Sequence, residues 1–139
     1  MSPTEATIWP VIAHVALVFV LYFLLSSRRM GAVKSGRAKP EQFRENRDEP
    51  AESVTVKNAI ANQFELPVLF YVVSVFLYLV DADNPVTVAG GWLFVALRYA
   101  HAYVHVTSNR LRYRRPLFIA GLAVVGLLWI WLGVWLAFT

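Results

Sequence analysis

The sequence predicts an all-α integral membrane protein, an antiparallel four-helix bundle with both termini outside. Three observations predict it. The chain has 139 residues, is 58% hydrophobic and only 16% charged, against roughly 45–50% apolar and about 25% charged in an ordinary soluble domain. Four spans of about 20 residues each account for that excess at bilayer thickness. The charge is also segregated: of thirteen Lys and Arg, eight lie in residues 28–57, four in 110–115, and one, Arg98, inside an apolar run. This composition excludes a soluble α/β enzyme, a disordered chain and a nucleic-acid-binding module. Without cysteine there is no disulfide framework, protein thiolate, iron–sulfur cluster or Cys-type zinc site. The length allows a single domain over residues 1–139.

The first span covers residues 8–27, with His14 and Tyr22 the polar interruptions before Ser26. It has no basic segment ahead of it and no small-residue cleavage site behind it, so it reads as retained rather than cleaved. Pro10 falls in its first turn, where a missing N–H costs little. Residues 28–53 read as a solvated cytoplasmic loop of mixed charge, broken by Gly31, Gly36, Pro40 and Pro50, with a short helix opening at Pro40. The second span, 54–80, measures about 40 Å as a helix, longer than a hydrocarbon core of about 30 Å. Its first third is polar (Lys57, Asn58, Asn62, Gln63, Glu65) and must face protein, water or headgroups. A tight turn at 81–85 leads to the third span, 86–107. A basic turn at 108–116 then leads to an uncharged fourth span, 117–138. Helices are required because lipid cannot satisfy free backbone groups.

Orientation follows from the basic residues. Both basic stretches belong in the cytoplasm and both termini outside. Trp9, Trp92, Trp129, Trp131 and Trp135 then fall in the outer half, as an aromatic belt would. On the fourth span Ala123, Gly126, Gly133 and Ala137 make a small-residue stripe suited to close helix approach.

Ionisable residues inside spans are costly and point to function. Asn58, Asn62, Glu65 and Leu69 recur at helical spacing on the second span, and Arg98, His101, His105 and Arg112 do so from the third. In antiparallel helices Glu65 and Arg98 lie at matching depth and are expected to pair, within or between subunits. Such a pair can also be simply the way two buried charges survive. Pro67 removes the hydrogen bond to the Gln63 carbonyl and should kink the helix. The freed carbonyl can serve a ligand or a neighbouring helix, or the proline can be a tolerated transmembrane one. His101 and His105 have the i, i+4 spacing of a metal pair, but no Glu follows His101 as in the zincin motif, and His14 is expected near the opposite face. Hydrogen-bonding histidines lining a polar pocket are the expected reading, with no metal site.

Four spans, Asn62-x-x-Glu65 on the second helix and Arg98-x-x-His101-x-x-x-His105 on the third together resemble the MAPEG family, the membrane-associated proteins of eicosanoid and glutathione metabolism. The stretch from Asn58 to Pro67 is most similar to bacterial members. The resemblance implies a homotrimer with glutathione as co-substrate in polar clefts between subunits near the cytoplasmic side. It implies that Asn62, Glu65, Arg98, His101 and His105, with Arg28 or Arg29, contact the tripeptide, and Asn58 is counted with them as a candidate binding residue. Asn58 stands one helical turn before Asn62, where several catalytic members have an Arg. An Arg after the third helix, Arg112 or Arg114, would stabilise the glutathione thiolate. His105 occupies a position that is Tyr in the best-known members, Pro67 is closer to the Glu than is usual, and the 28–53 loop is long for the family.

Two functions follow from the resemblance. The first is a glutathione-dependent transferase or peroxidase acting on lipophilic electrophiles or lipid hydroperoxides, with membrane lipids and a hydrophobic small molecule as its other partners and no nucleic acid. The second is a non-catalytic membrane protein that binds a lipid or a partner protein. The expected location is a bacterial inner membrane.

Overall fold

In the computed structural model, which describes residues 3–139, seven helices follow one another: α1 (Pro3–Ala6), α2 (Ile8–Lys34), α3 (Pro40–Glu45), α4 (Ala51–Gln63), α5 (Leu66–Leu79), α6 (Pro85–Val106) and α7 (Leu111–Phe138). Among the described residues there is no strand. Three stretches are long and apolar enough to cross a membrane: Ile8–Lys34, Ala51–Leu79 and Leu111–Phe138. The helix α6, 22 residues long, does not reach that apolarity, because Gly90, Gly91, Arg98, His101 and His105 dilute it.

The boundaries differ from the sequence reading at the ends of the helices that carry the basic residues. The helix α2 runs to Lys34 rather than stopping at residue 27, and α3 occupies Pro40–Glu45, so 28–53 is largely helical. The extension is held by packing, since Ala32 is fully buried. It is also held by Arg28, whose Nη1 donates to the Glu52 carbonyl at 2.8 Å and whose Nη2 donates to the Val106 carbonyl at 2.9 Å. That second bond satisfies one of the orphan carbonyls at the end of α6. The helix α7 likewise begins at Leu111, so most of the basic turn expected at 108–116 is its first turns.

The connection between α5 and α6 is built from capping chemistry. Asn84 accepts from the amides of Val86 and Thr87 at 2.8 and 3.1 Å, the Thr87 hydroxyl oxygen accepts from the Asn84 amide at 2.9 Å, and Pro85 opens α6. Three indoles of α7 tie this end together. Trp129, Trp131 and Trp135 donate to the carbonyls of Leu69, Ala82 and Val80 at 3.2, 2.8 and 3.2 Å. Gly91 lets α2 and α6 approach closely, because a Cβ there would lie 3.2 Å from the Pro10 ring.

Two apolar layers form the core. One joins Leu66, Phe70, Val73 and Leu77 of α5 to Phe94 and Val95 of α6 and to Val125, Leu128 and Leu132 of α7. The other joins Leu17 and Leu21 of α2 to Val56, Ala59 and Ile60 of α4 and to Ala102 of α6. Between them the second span is interrupted at Phe64 and Glu65, and α5 restarts with Pro67 in its first turn. A proline there gives up an N–H that a first turn does not use. The polar residues lie at this interruption.

Candidate functional site

Arg98 is the centre of the polar layer. It is 1% exposed, the largest of the fully buried side chains, and projects from the middle of α6. A buried guanidinium is tolerable only when its donors are met. Its Nε and Nη2 donate to Gln63 Oε1 at 3.3 and 3.1 Å, and Nη2 also donates to the Asn62 side-chain oxygen. A further bond runs from Nη2 to the Asn62 carbonyl at 3.4 Å. Its Nη1 is buried without a hydrogen-bond partner.

The expected Glu65–Arg98 ion pair does not form within the chain. Glu65 is the residue at which the helix breaks, with φ −97° and ψ −104°, and it turns to the surface. Asn62 stands between the two charges: its Nδ2 donates to Glu65 Oε2 at 3.2 Å while its oxygen accepts from Arg98. Arg98 is therefore bound by amides and feels the carboxylate through one of them.

His14 also departs from expectation, since it is fully buried in this layer. Its Nε2 lies 2.9 Å from Gln63 Oε1, its Nδ1 bonds the Tyr71 hydroxyl, and its ring meets Tyr71 edge-on. The order of donors follows from valence. Arginine only donates, so Gln63 must turn its oxygen toward Arg98. Its amide nitrogen then donates to the Ala59 carbonyl at 3.0 Å. His14 Nε2 must carry the proton it gives to that same oxygen, and a neutral ring then accepts at Nδ1 from Tyr71. Helical spacing offered the signal for both residues. His14 continues the buried stripe Pro10, Leu17, Leu21, and Gln63 continues Ser53, Val56, Ala59 and Ile60.

A cavity of about 250 Å³ opens beside this layer, lined by Asn62, Glu65, His101, His105, Leu111, Arg114, Arg115 and Phe118. The two imidazoles stack edge to face with centroids 5.8 Å apart, and both Nδ1 atoms are buried without partners. Arg114 is held by Asn109, whose side-chain oxygen accepts from Nη1 at 2.6 Å. Asn109 takes the left-handed conformation (φ 51°) that ends α6, donating its amide to the Val104 carbonyl at 2.7 Å.

The remaining candidates lie elsewhere. Arg112 does not share a face with Arg98, His101 and His105, because it belongs to the first turn of α7 and not to α6. It lines a separate groove with Pro116, Ile119 and Ala123. Two residues apart on one helix, Arg112 and Arg114 project on roughly opposite sides. Asn58 is on the exposed side of α4. Arg28 is engaged by backbone carbonyls, and Arg29 pairs with Glu49 at 2.7 Å and lies over the Phe43 ring.

The sequence model of the MAPEG family matches residues 7–134, which includes every helix of this polar layer. The chain belongs to the MAPEG family. No curated protein and no solved structure matches it significantly. MAPEG membership together with the three apolar spans makes this an integral membrane protein in contact with lipid. Members of the MAPEG family generally use glutathione.

Proposed function

We propose that this MAPEG protein is a membrane-bound glutathione-dependent transferase or peroxidase acting on lipophilic electrophiles or lipid hydroperoxides. One observation carries the reading: Asn62, Glu65, His101, His105 and Arg114 gather about one cavity, beside the buried polar layer of His14, Gln63 and Arg98. Glutathione has two carboxylates, an amino group and a thiol. Guanidinium donors suit the carboxylates and a carboxylate acceptor, Glu65, suits the amine.

Arg114 is our candidate for thiol activation. A free thiol has a pKa of about 8.5, and a neighbouring cation raises its thiolate fraction. Arg114 and Arg115 stand in the first turns of α7, where the helix end adds its own positive field. The sulfur, once deprotonated to water, attacks the electrophilic carbon. The S–C bond forms as the leaving group departs with its electron pair.

A cavity of about 250 Å³ is smaller than the roughly 300–1,000 Å³ of most small-molecule sites. A tripeptide needs further walls, and a neighbouring subunit of a homotrimer would supply them. Asn58 and Arg112, exposed on the single chain, are then available to an adjacent cleft. In this reading α6 also crosses the bilayer as the fourth helix of the bundle, its polar face covered by α2, α4 and α7. Both termini lie outside, and the bacterial inner membrane is the proposed location.

A second reading, lipid binding without catalysis, is favoured by one feature. An apolar groove of about 630 Å³ runs along α6 and α7 at the outer end, walled by Leu93, Val124, Leu127, Leu128 and Trp131. Conjugation of a chromogenic electrophile by the purified protein separates the two. Turnover that falls in Arg114→Met supports the enzyme. Co-purified lipid, no turnover and no effect of Arg114→Met supports the binder.

A further inference from the structure

Resting on the glutathione reading, we infer that His14 and Gln63 are positioning residues: they lock the Arg98 guanidinium in one orientation, and Arg98 in turn sets Asn62 and Glu65 at the wall of the cavity that takes the tripeptide. A guanidinium can turn about the end of its side chain, and which nitrogens are left over decides what it can bind. Here Nε and Nη2 share one acceptor, Gln63 Oε1, at 3.3 and 3.1 Å. That acceptor cannot swing away. Its amide nitrogen is anchored to the Ala59 carbonyl one turn earlier at 3.0 Å, and its oxygen is held from the other side by His14 Nε2 at 2.9 Å.

His14 is fixed in turn by the Tyr71 hydroxyl on Nδ1 and by its ring contacts with Tyr71 and Phe94. The line runs Tyr71, His14, Gln63, Arg98, Asn62, Glu65, across α5, α2, α4 and α6. Its last two members carry the orientation to the cavity wall. None of His14, Gln63 and Arg98 lines the cavity, so each acts on it through Asn62 and Glu65.

The test has two parts. The first is glutathione affinity of purified protein in detergent for wild type, His14→Leu, His14→Gln and Gln63→Leu, each repeated in an Arg98→Lys background, with thermal unfolding measured alongside. His14→Leu should weaken binding about tenfold, the loss of one hydrogen bond in a chain ending on a charge. His14→Gln, which keeps a donor toward Gln63, should recover most of that affinity. In the Arg98→Lys background His14→Leu should cause no additional loss, since residues acting through one group are not additive. Unchanged affinity in His14→Leu, or a full additive loss without Arg98, overturns the inference and leaves the glutathione reading standing.

The second part needs no variant to fold and no ligand to bind. Nitrogen-15 NMR of the three histidines in the wild type should report His14 as the Nε2–H tautomer with a bare Nδ1. An Nδ1–H tautomer overturns the positioning line. Wild type that fails to bind glutathione while showing the Nε2–H tautomer overturns the glutathione reading and, with it, the ligand that the positioned Asn62 and Glu65 would hold.

Discussion

Arg98 gives two of its donors to the side-chain oxygen of Gln63, at 3.3 and 3.1 Å, and none to a carboxylate. The one full charge at the centre of the membrane-embedded core is therefore solvated by a neutral amide. Gln63→Leu should strip Arg98 of that acceptor and leave His14 Nε2 unmet as well. Removing a neutral hydrogen-bond partner from a buried charge costs roughly 1.5–3 kcal/mol. Thermal unfolding in detergent should show the loss; a change within about 0.5 kcal/mol, ordinary for a surface site, would mean Arg98 finds another acceptor.

Gly91 should be intolerant of a side chain. A Cβ would stand 3.2 and 3.3 Å from two ring carbons of Pro10, a rigid neighbour within a helix. Gly91→Ala is expected to cost about 1–3 kcal/mol by overpacking. Gly126 and Gly133 meet nothing within 4 Å, so alanine at either should leave unfolding of the single chain unchanged or slightly improved. A shift in oligomer mass for Gly126→Leu or Gly133→Leu would locate the subunit contact on their stripe.

Arg28 should behave as a clamp. It joins α2 to the start of α4 and to the last carbonyls of α6 by bonds of 2.8 and 2.9 Å. Arg28→Ala is expected to destabilise by about 2 kcal/mol or more, and Arg28→Lys to recover only part, because an ammonium cannot present a two-pronged fork. If Arg28 contacts ligand instead, Arg28→Ala will weaken glutathione binding and leave unfolding unmoved.

The arm that carries α3 should loosen in acid. Burial opposes ionisation of Glu49, whose side chain is 4% exposed, but the Arg29 hydrogen bond and the charges of Arg29 and Lys57 outweigh it and hold the carboxyl below its ordinary 4.5. A carboxyl depressed on folding contributes fully above its unfolded value, and the contribution is lost as pH falls through the folded value. Hydrogen-exchange protection over α3, taken relative to the unstructured rate at each pH, should therefore be constant near neutrality and fall below about pH 4.5. Glu49→Gln should show the reduced protection already at neutral pH.

The helical, membrane-spanning character of the chain was legible because apolar runs and segregated charge are one-dimensional signals. Helix ends were less legible. Lys34 lies well inside what composition marks as loop, and only the burial of Ala32 and the reach of Arg28 across to Val106 explain why the helix continues. The same limitation misplaced Arg112. Its spacing from His105 fits one helical face only if the helix continues, and the left-handed turn at Asn109 stops it.

At the polar layer the residue types were legible but not the pairing. Opposite charges at equal depth suggest an ion pair, and sequence spacing assumes an unbroken helix. The interruption at Phe64 and Glu65 turns the carboxylate outward and brings Gln63 and Asn62 to Arg98 instead. His14, on another helix, joins through three-dimensional packing, which its place on a buried stripe hinted at without naming a partner.

The cavity flanked by Asn62, Glu65, His101, His105 and Arg114 is the proposed glutathione site. The most direct measurement is a glutathione-binding isotherm on the purified protein in detergent, wild type against Glu65→Gln. Saturable binding in the millimolar range or tighter, weakened about tenfold by Glu65→Gln as a charged hydrogen bond becomes a neutral one, is the predicted result. No saturable binding, or identical isotherms for the two proteins, would contradict it.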